Sequence, residues 1–259
     1  MKRRWKINRY GGVIPIMNDV FVGSLISALS TGLGAVPILF MRNVTHRLRD
    51  VLLAYAAGIM TSASVYNLIP EAIRHSNWFV LSAGILLGCL VLLVMERYIP
   101  HADLEDPDSK TFQLESKSFL IIAAITLHNL PEGLSVGVSY ASETQNLGDL
   151  IAFSIGLQNA PEGFIVALFL VNQNIGRFKA LGIATLTGAV EIITSLIGFY
   201  LSSWVNGLVP YGLAFAAGAM MFIVYKELIP ESHGDGNQRI ATFSFILGLI
   251  TMIGLTEWL

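Results

Sequence analysis

The sequence predicts an all-α polytopic membrane protein with eight transmembrane helices arranged as an inverted 3+2+3 repeat. Three observations carry that prediction. Of the 259 residues, 54% are hydrophobic and only 13% are charged, where soluble domains carry about 25% charged residues, and the mean hydropathy is +0.63. Eight apolar segments follow one another with mostly short polar breaks. Finally, AAGIMTSASVYNLIPEA (56–72) and AAGAMMFIVYKELIPES (216–232) align without a gap at an offset of 160, sharing Ala-Ala-Gly, Met, Tyr and Leu-Ile-Pro-Glu.

The spans fall near 17–40, 50–70, 77–98, 117–141, 147–172, 178–203, 209–230 and 239–258. Each can cross about 30 Å of hydrocarbon at about 1.5 Å per residue. Period-2 alternation is absent, which favours helices over barrel strands. Span 1 follows a basic tail, MKRRWKINRY, that resembles a signal-peptide n-region. The apolar run beyond it shows no obvious small-residue cleavage site, so it reads as a retained span; the chain starts at either Met1 or Met17. Spans 2 and 7 carry the two copies of the internal echo. An eight-span count makes them run in opposite directions, so spans 1–3 mirror spans 6–8 with 4 and 5 as a central pair. Inverted halves of this kind underlie alternating access. Pro70-Glu71 and Pro230-Glu231 fall at the span ends, where such pairs also serve as helix terminators.

Span 3 is followed by HADLEDPDSKTFQLES, and residues 99–116 are expected to form a flexible cytoplasmic loop inside a single transporter domain, 1–259. That loop reads either as a solvated linker or as a weak metal-collecting segment built on His101, Asp103, Glu105, Asp106 and Asp108. The loops after spans 1, 3, 5 and 7 hold ten Lys or Arg residues, and those after spans 2, 4 and 6 hold one, Arg74. The odd-numbered loops are therefore expected in the cytoplasm and both termini outside, although the basic tail pulls the other way. The single cysteine, Cys89, excludes a disulfide framework and a thiolate metal cluster. A net charge of −2 without a basic block gives nucleic acid nothing to bind.

Spans 4 and 5 carry the chemistry: HNLPEG (128–133) and QNAPEG (158–163). His128 and Glu132 lie four apart on one helix face, and Gln158 and Glu162 repeat the geometry. Pro131 and Pro161 lack the amide hydrogens that would bond the carbonyls of Leu127 and Leu157, a defect tolerated in lipid only where protein, water or an ion satisfies it. Charged residues at mid-membrane cost about 2.5–3.5 kcal/mol each on insertion scales. No Lys or Arg lies in 118–172 to pair with these carboxylates, so a divalent cation supplies the positive charge. Imidazole, carboxylate and amide oxygen suit zinc, iron, manganese, cobalt or cadmium better than sodium or potassium.

His128, Glu132, Gln158 and Glu162 are the candidate ligands of a first position; Gln158 also reads as interhelical glue, and Glu132 with Glu162 as a protonated pair. Asn129 and Asn159 point about 100° away and, with Glu191 of span 6 and the two glutamates as bridges, mark a second. Met60 on span 2 is a softer candidate that equally fits packing, as does its counterpart Met220. Glu227 reads as a ligand on the exit path or as half of an ion pair with a neighbour. Ser135 and Ser139 share the His128 face and either line a path or bond to their own helix.

On these motifs the chain resembles the ZIP family of divalent metal transporters, and within it the bacterial GufA-like branch, over essentially its full length. His128, Asn129 and Glu132 match the family's span 4 ligands, Glu191 the span 6 glutamate, and Met60 a span 2 methionine. Gln158 stands where many members have histidine, Asn159 where some have aspartate, and the 99–116 loop holds only His101 where larger members are histidine-rich. The resemblance implies zinc uptake into the cytoplasm, with iron, manganese, cobalt and cadmium as further substrates and two ions in a binuclear site. It also implies an elevator-like movement of spans 1, 4, 5 and 6 against 2, 3, 7 and 8. The setting is the inner cell membrane, the partners are the metal ions and the bilayer, and a homodimer is open. A metallohydrolase would need an HExxH element and an open water position, and a metal sensor or scaffold would favour a soluble partner domain; the sequence displays neither, so the chain is not expected to be an enzyme.

Overall fold

A computed structural model describes residues 13–41, 44–98, 114–205 and 207–258, all in helices and short turns. The basic tail up to Gly12 and the loop residues 99–113, including His101 and the acidic positions beside it, lie outside the described residues. The helices are α1 (Val13–Ala35), α2 (His46–Ser62), α3 (Ile69–Arg74), α4 (Trp78–Tyr98), α5 (Leu114–Ala141), α6 (Leu147–Asn172), α7 (Arg177–Trp204), α8 (Leu208–Ile223), α9 (Ile229–His233) and α10 (Gln238–Trp258). A π-helical turn, Ala63–Leu68, joins α2 to α3, and another, Val224–Leu228, joins α8 to α9. Eight long helical passages result. Seven are long and apolar enough to cross a membrane by length and composition; the eighth, α5, is the 28-residue helix that carries HNLPEG.

Local chemistry sets several boundaries. Thr45 caps α2, its side chain accepting from the Leu48 amide at 3.3 Å, and the Asn77 side chain accepts from the amides of Phe79 and Val80 at the start of α4. Both fill donors that a helix N-terminus leaves free. Asn146 (φ 62°) and Gly207 (φ 82°) reverse the chain before α6 and α8. The prolines at 70 and 230 do not end their helices: α3 runs on to Arg74 and α9 to His233. In each case the wider π turn lies just before the residue that cannot donate, so the local change of register absorbs the missing bond and the helix resumes.

The helices sort into two packed groups. In one, α1 lies against α6 and α7, and α5 against α7 and α6; in the other, α2 lies against α10 and α4 against α8. Contacts of α2 with α6 and of α5 with α8 join them. Within the second group the helices meet at glycines. A Cβ at Gly58 would overlap the Phe245 carbonyl, and one at Gly218 the Ile85 carbonyl. Likewise Gly248 meets the Tyr55 carbonyl and Gly88 that of Phe215. Every member of one pair lies 160 residues from a member of the other. Such close backbone approach is how helices adhere in lipid, where apolar burial offers little drive.

Burial separates centre from edge across both groups. In the apolar windows of α2 and α6, 67% of residues are buried, against 22% in α4 and α10. The outer faces expose Phe79, Leu86, Leu186 and Phe243, a surface suited to acyl chains rather than water. Trp78, Trp204 and Trp258 are exposed at helix ends, positions that match an interfacial aromatic belt.

Candidate metal site

The two polar motifs lie within unbroken helices, since α5 continues through Pro131 and α6 through Pro161. Two residues after each proline, a glycine brings a second backbone close. A side chain at Gly133 would strike the Glu191 carbonyl on α7, and one at Gly163 the Thr31 carbonyl on α1. The same sequence feature thus seats α5 on α7 and α6 on α1, and it fixes where the neighbouring carboxylates stand.

Glu132 and Gln158 are fully buried and face each other, the Gln158 amide donating to Glu132 Oε1 at 2.6 Å. Their other oxygens, Glu132 Oε2 and Gln158 Oε1, are buried without a hydrogen-bond partner. Glu162 and Glu191 are the charged neighbours of Glu132. Glu162, partly buried, has His128 and Glu227 as its own titratable neighbours. His128 reaches across to the π turn before α9, its Nε2 lying 2.7 Å from Glu227 Oε2, with side chains 17% and 11% exposed. The imidazole therefore marks the more open end of the cluster and the Glu132–Gln158 pair the closed one.

A second polar knot lies beside the first. The Asn159 amide donates to Glu191 Oε1 at 2.7 Å and to the Ser27 carbonyl at 3.1 Å, while the Ser27 hydroxyl donates to Glu191 Oε2. Asn159 Oδ1 and Asn129 Nδ2 are buried and unpartnered. Met60 and Met220 are both fully buried in the apolar core.

The structure brings His128, Glu132, Gln158 and Glu162 into one polar cluster and sets Asn159 and Glu191 next to it. Among the described residues, however, no three His, Cys, Asp or Glu side chains are gathered as a ready-made cage. The physical reason is visible: amides of Gln158 and Asn159, rather than further acids or imidazoles, face Glu132 and Glu191. Lys226 takes Glu96 of α4, and Glu227 takes His128. Sequence reasoning missed Ser27 and Thr31, although buried Ser24, Ser27 and Thr31 share one face of α1 at spacings of three and four. That stripe was the available signal.

Comparison with known proteins sets this geometry in a family. The family model described as ZIP zinc transporter matches residues 99–256, more than half of the chain. The zinc transporter GufA of Myxococcus xanthus is 35% identical over 249 residues, covering 92% of this chain and 98% of that protein. The zinc transporter ZIPB of Bordetella bronchiseptica is 32% identical over 254 residues, 90% of this chain and 79% of that one. A 142-residue match to the zinc transporter ZIP11 of Xenopus tropicalis is 42% identical but covers 52% of this chain and 42% of that protein.

Proposed function

The chain belongs to the ZIP family of metal transporters, and not to a class of enzymes, and from that premise we propose that it carries zinc across the inner membrane into the cytoplasm by alternating access. The metal is held by His128, Glu132, Gln158 and Glu162. One observation carries the assignment of the site: Glu132 Oε2 and Gln158 Oε1 are buried side-chain oxygens with no donor, in a cluster with a neighbouring carboxylate and an imidazole. Leaving a buried polar group unsatisfied costs about 1–3 kcal/mol, and a divalent ion satisfies both oxygens while balancing the charge of the glutamates.

Asn129, Asn159 and Glu191, with Glu132 and Glu162 as bridges, form a second metal position, reached when Ser27 and the Asn159 amide release Glu191. Met60 is assigned to the flank of the first. One imidazole among oxygen donors gives moderate selectivity, so iron, manganese, cobalt and cadmium are further substrates. A carrier benefits from moderate grip because it must also let go.

The inverted repeat supplies the movement. Its support is the recurrence, at an offset of 160, of the sequence echo, the π turn before Pro70 and Pro230, and the glycine contacts of α2 with α10 and of α8 with α4. The contacts Gly133–Glu191 and Gly163–Thr31 extend the pattern, since 31 and 191 also differ by 160. In this reading α1, α5, α6 and α7 move as one body against the rest, and the 99–116 loop and the open end at His128 face the cytoplasm. Zinc entry into vesicles containing the purified protein, compared with empty vesicles, tests the function. Entry that is no faster than into empty vesicles overturns it.

A further inference from the structure

The site continues outward along α5 as a stripe of hydroxyls. His128, Glu132, Ser135 and Ser139 are spaced four, three and four residues apart on α5 and so share one helix face, and Ser142 follows in the turn just beyond its end. From Glu132 onward they are buried, none more than 7% exposed. Ser135 bonds back to the Glu132 carbonyl at 2.6 Å, whereas the Ser139 hydroxyl is buried without a partner. The stripe ends at Glu71, on α3 in the other helix group.

Glu71 is 3% exposed. Its Oε1 accepts from the Ser142 hydroxyl and, at 2.6 Å, from that of Thr144. Residues of its own segment complete the shell: Arg74 donates to Oε2 at 3.3 Å, and His75 Nε2 lies 3.2 Å from Oε1. A helix terminator at a lipid interface would face headgroups and water. This carboxylate is instead enclosed and grips the turn between α5 and α6 from across the boundary between the two helix groups. The other copy of the motif differs. Glu231 is exposed, at the end where His128 and Glu227 are also the more open pair.

We propose that Glu71 is a positioning residue for transport: a latch that holds α3 against the α5–α6 turn through Ser142 and Thr144 and closes the outer end of the path to the metal site. Release of this carboxylate lets the α5–α6 body move away and exposes the hydroxyl stripe to the extracytoplasmic face. The inference rests on the transport reading for its consequence, and on the Glu71 contacts for its geometry.

The test is the accessibility of Ser139→Cys in a Cys89→Ser background to a membrane-impermeant maleimide added outside intact cells. A Ser109→Cys control reports the orientation of the 99–116 loop. With Glu71 intact, labelling should be slow. Glu71→Ala should speed it about tenfold or more, the scale expected for losing hydrogen bonds to a charged group. Ser142→Ala with Thr144→Val should give a similar gain, and adding Glu71→Ala to that pair should add little. The pair also keeps the test available if Glu71→Ala fails to reach the membrane. An unchanged labelling rate in the pair, or fully additive effects, overturns the latch. Zinc flux by the parent in vesicles reports on the transport reading separately, so failure of one is distinguishable from failure of the other.

Discussion

The helices α5 and α6 carry the same short motif and use it differently. On α5 the first residue is His128, which turns toward the second helix group and meets Glu227 at 2.7 Å. On α6 it is Gln158, which turns inward and donates to Glu132 at 2.6 Å. The proline, glutamate and glycine that follow are shared, and the two glycines seat their helices by equivalent contacts. The shared glycines therefore seat the two helices, while the first residue of the motif gives each half a different polar group. One half offers an imidazole at an accessible edge, and the other an amide in a sealed interior.

The largest effect should come from removing what the halves share. Glu132→Ala and Glu162→Ala should each weaken zinc binding by more than about a hundredfold, since even outer-shell partners of metal ligands are worth about 10–100-fold. Titration of zinc into purified protein measures the loss. Near-parental affinity in either variant would make that carboxylate structural.

Next come changes that erase the difference between the halves. His128→Gln gives α5 the motif of α6, and zinc affinity should fall about ten- to a hundredfold, with manganese affected less, because zinc values imidazole more. Gln158→His does the reverse. Discrimination of zinc over manganese should rise about tenfold, the effect of about 1.4 kcal/mol, while maximal uptake stays level or drops as release slows. Competition between the two metals in proteoliposomes reads both variants. If Gln158→His discriminates no better than the parent, Gln158 does not touch the ion during transport.

The smallest effect should come from the second knot. Asn159→Ala frees one oxygen of Glu191 from its 2.7 Å hydrogen bond but leaves the His128–Glu132–Gln158–Glu162 set intact. Elemental counting should show at most one ion lost per chain, with tight binding of the other kept. Complete loss of metal would mean that the two positions are not separable.

Much of this was legible in the sequence. The eight helical passages followed from apolar run length, and the polar cluster from two motifs with a four-residue rhythm in helices without a basic residue. Three features were not legible, one set by local backbone register and two by neighbours distant in the chain. Pro70 and Pro230 read as helix ends, yet a π turn carries each helix past them, a backbone choice that composition does not encode. Ser27 reads as one more small residue of span 1 until Glu191, 164 residues away, is found bonded to it. Glu71 and Glu231 occupy equivalent places in the two echoed segments, but only the fold reveals that the first meets Ser142 and Thr144.

The most direct test of the two halves is X-ray absorption at the zinc edge on protein loaded with one equivalent of zinc. The imidazole ring gives a multiple-scattering signature beyond the nearest shell of nitrogen and oxygen at about 2.0–2.2 Å. One imidazole is expected in the parent, none in His128→Gln and two in Gln158→His. An imidazole count that moves with neither substitution would contradict the assignment of these two positions as the ligands that set the site apart.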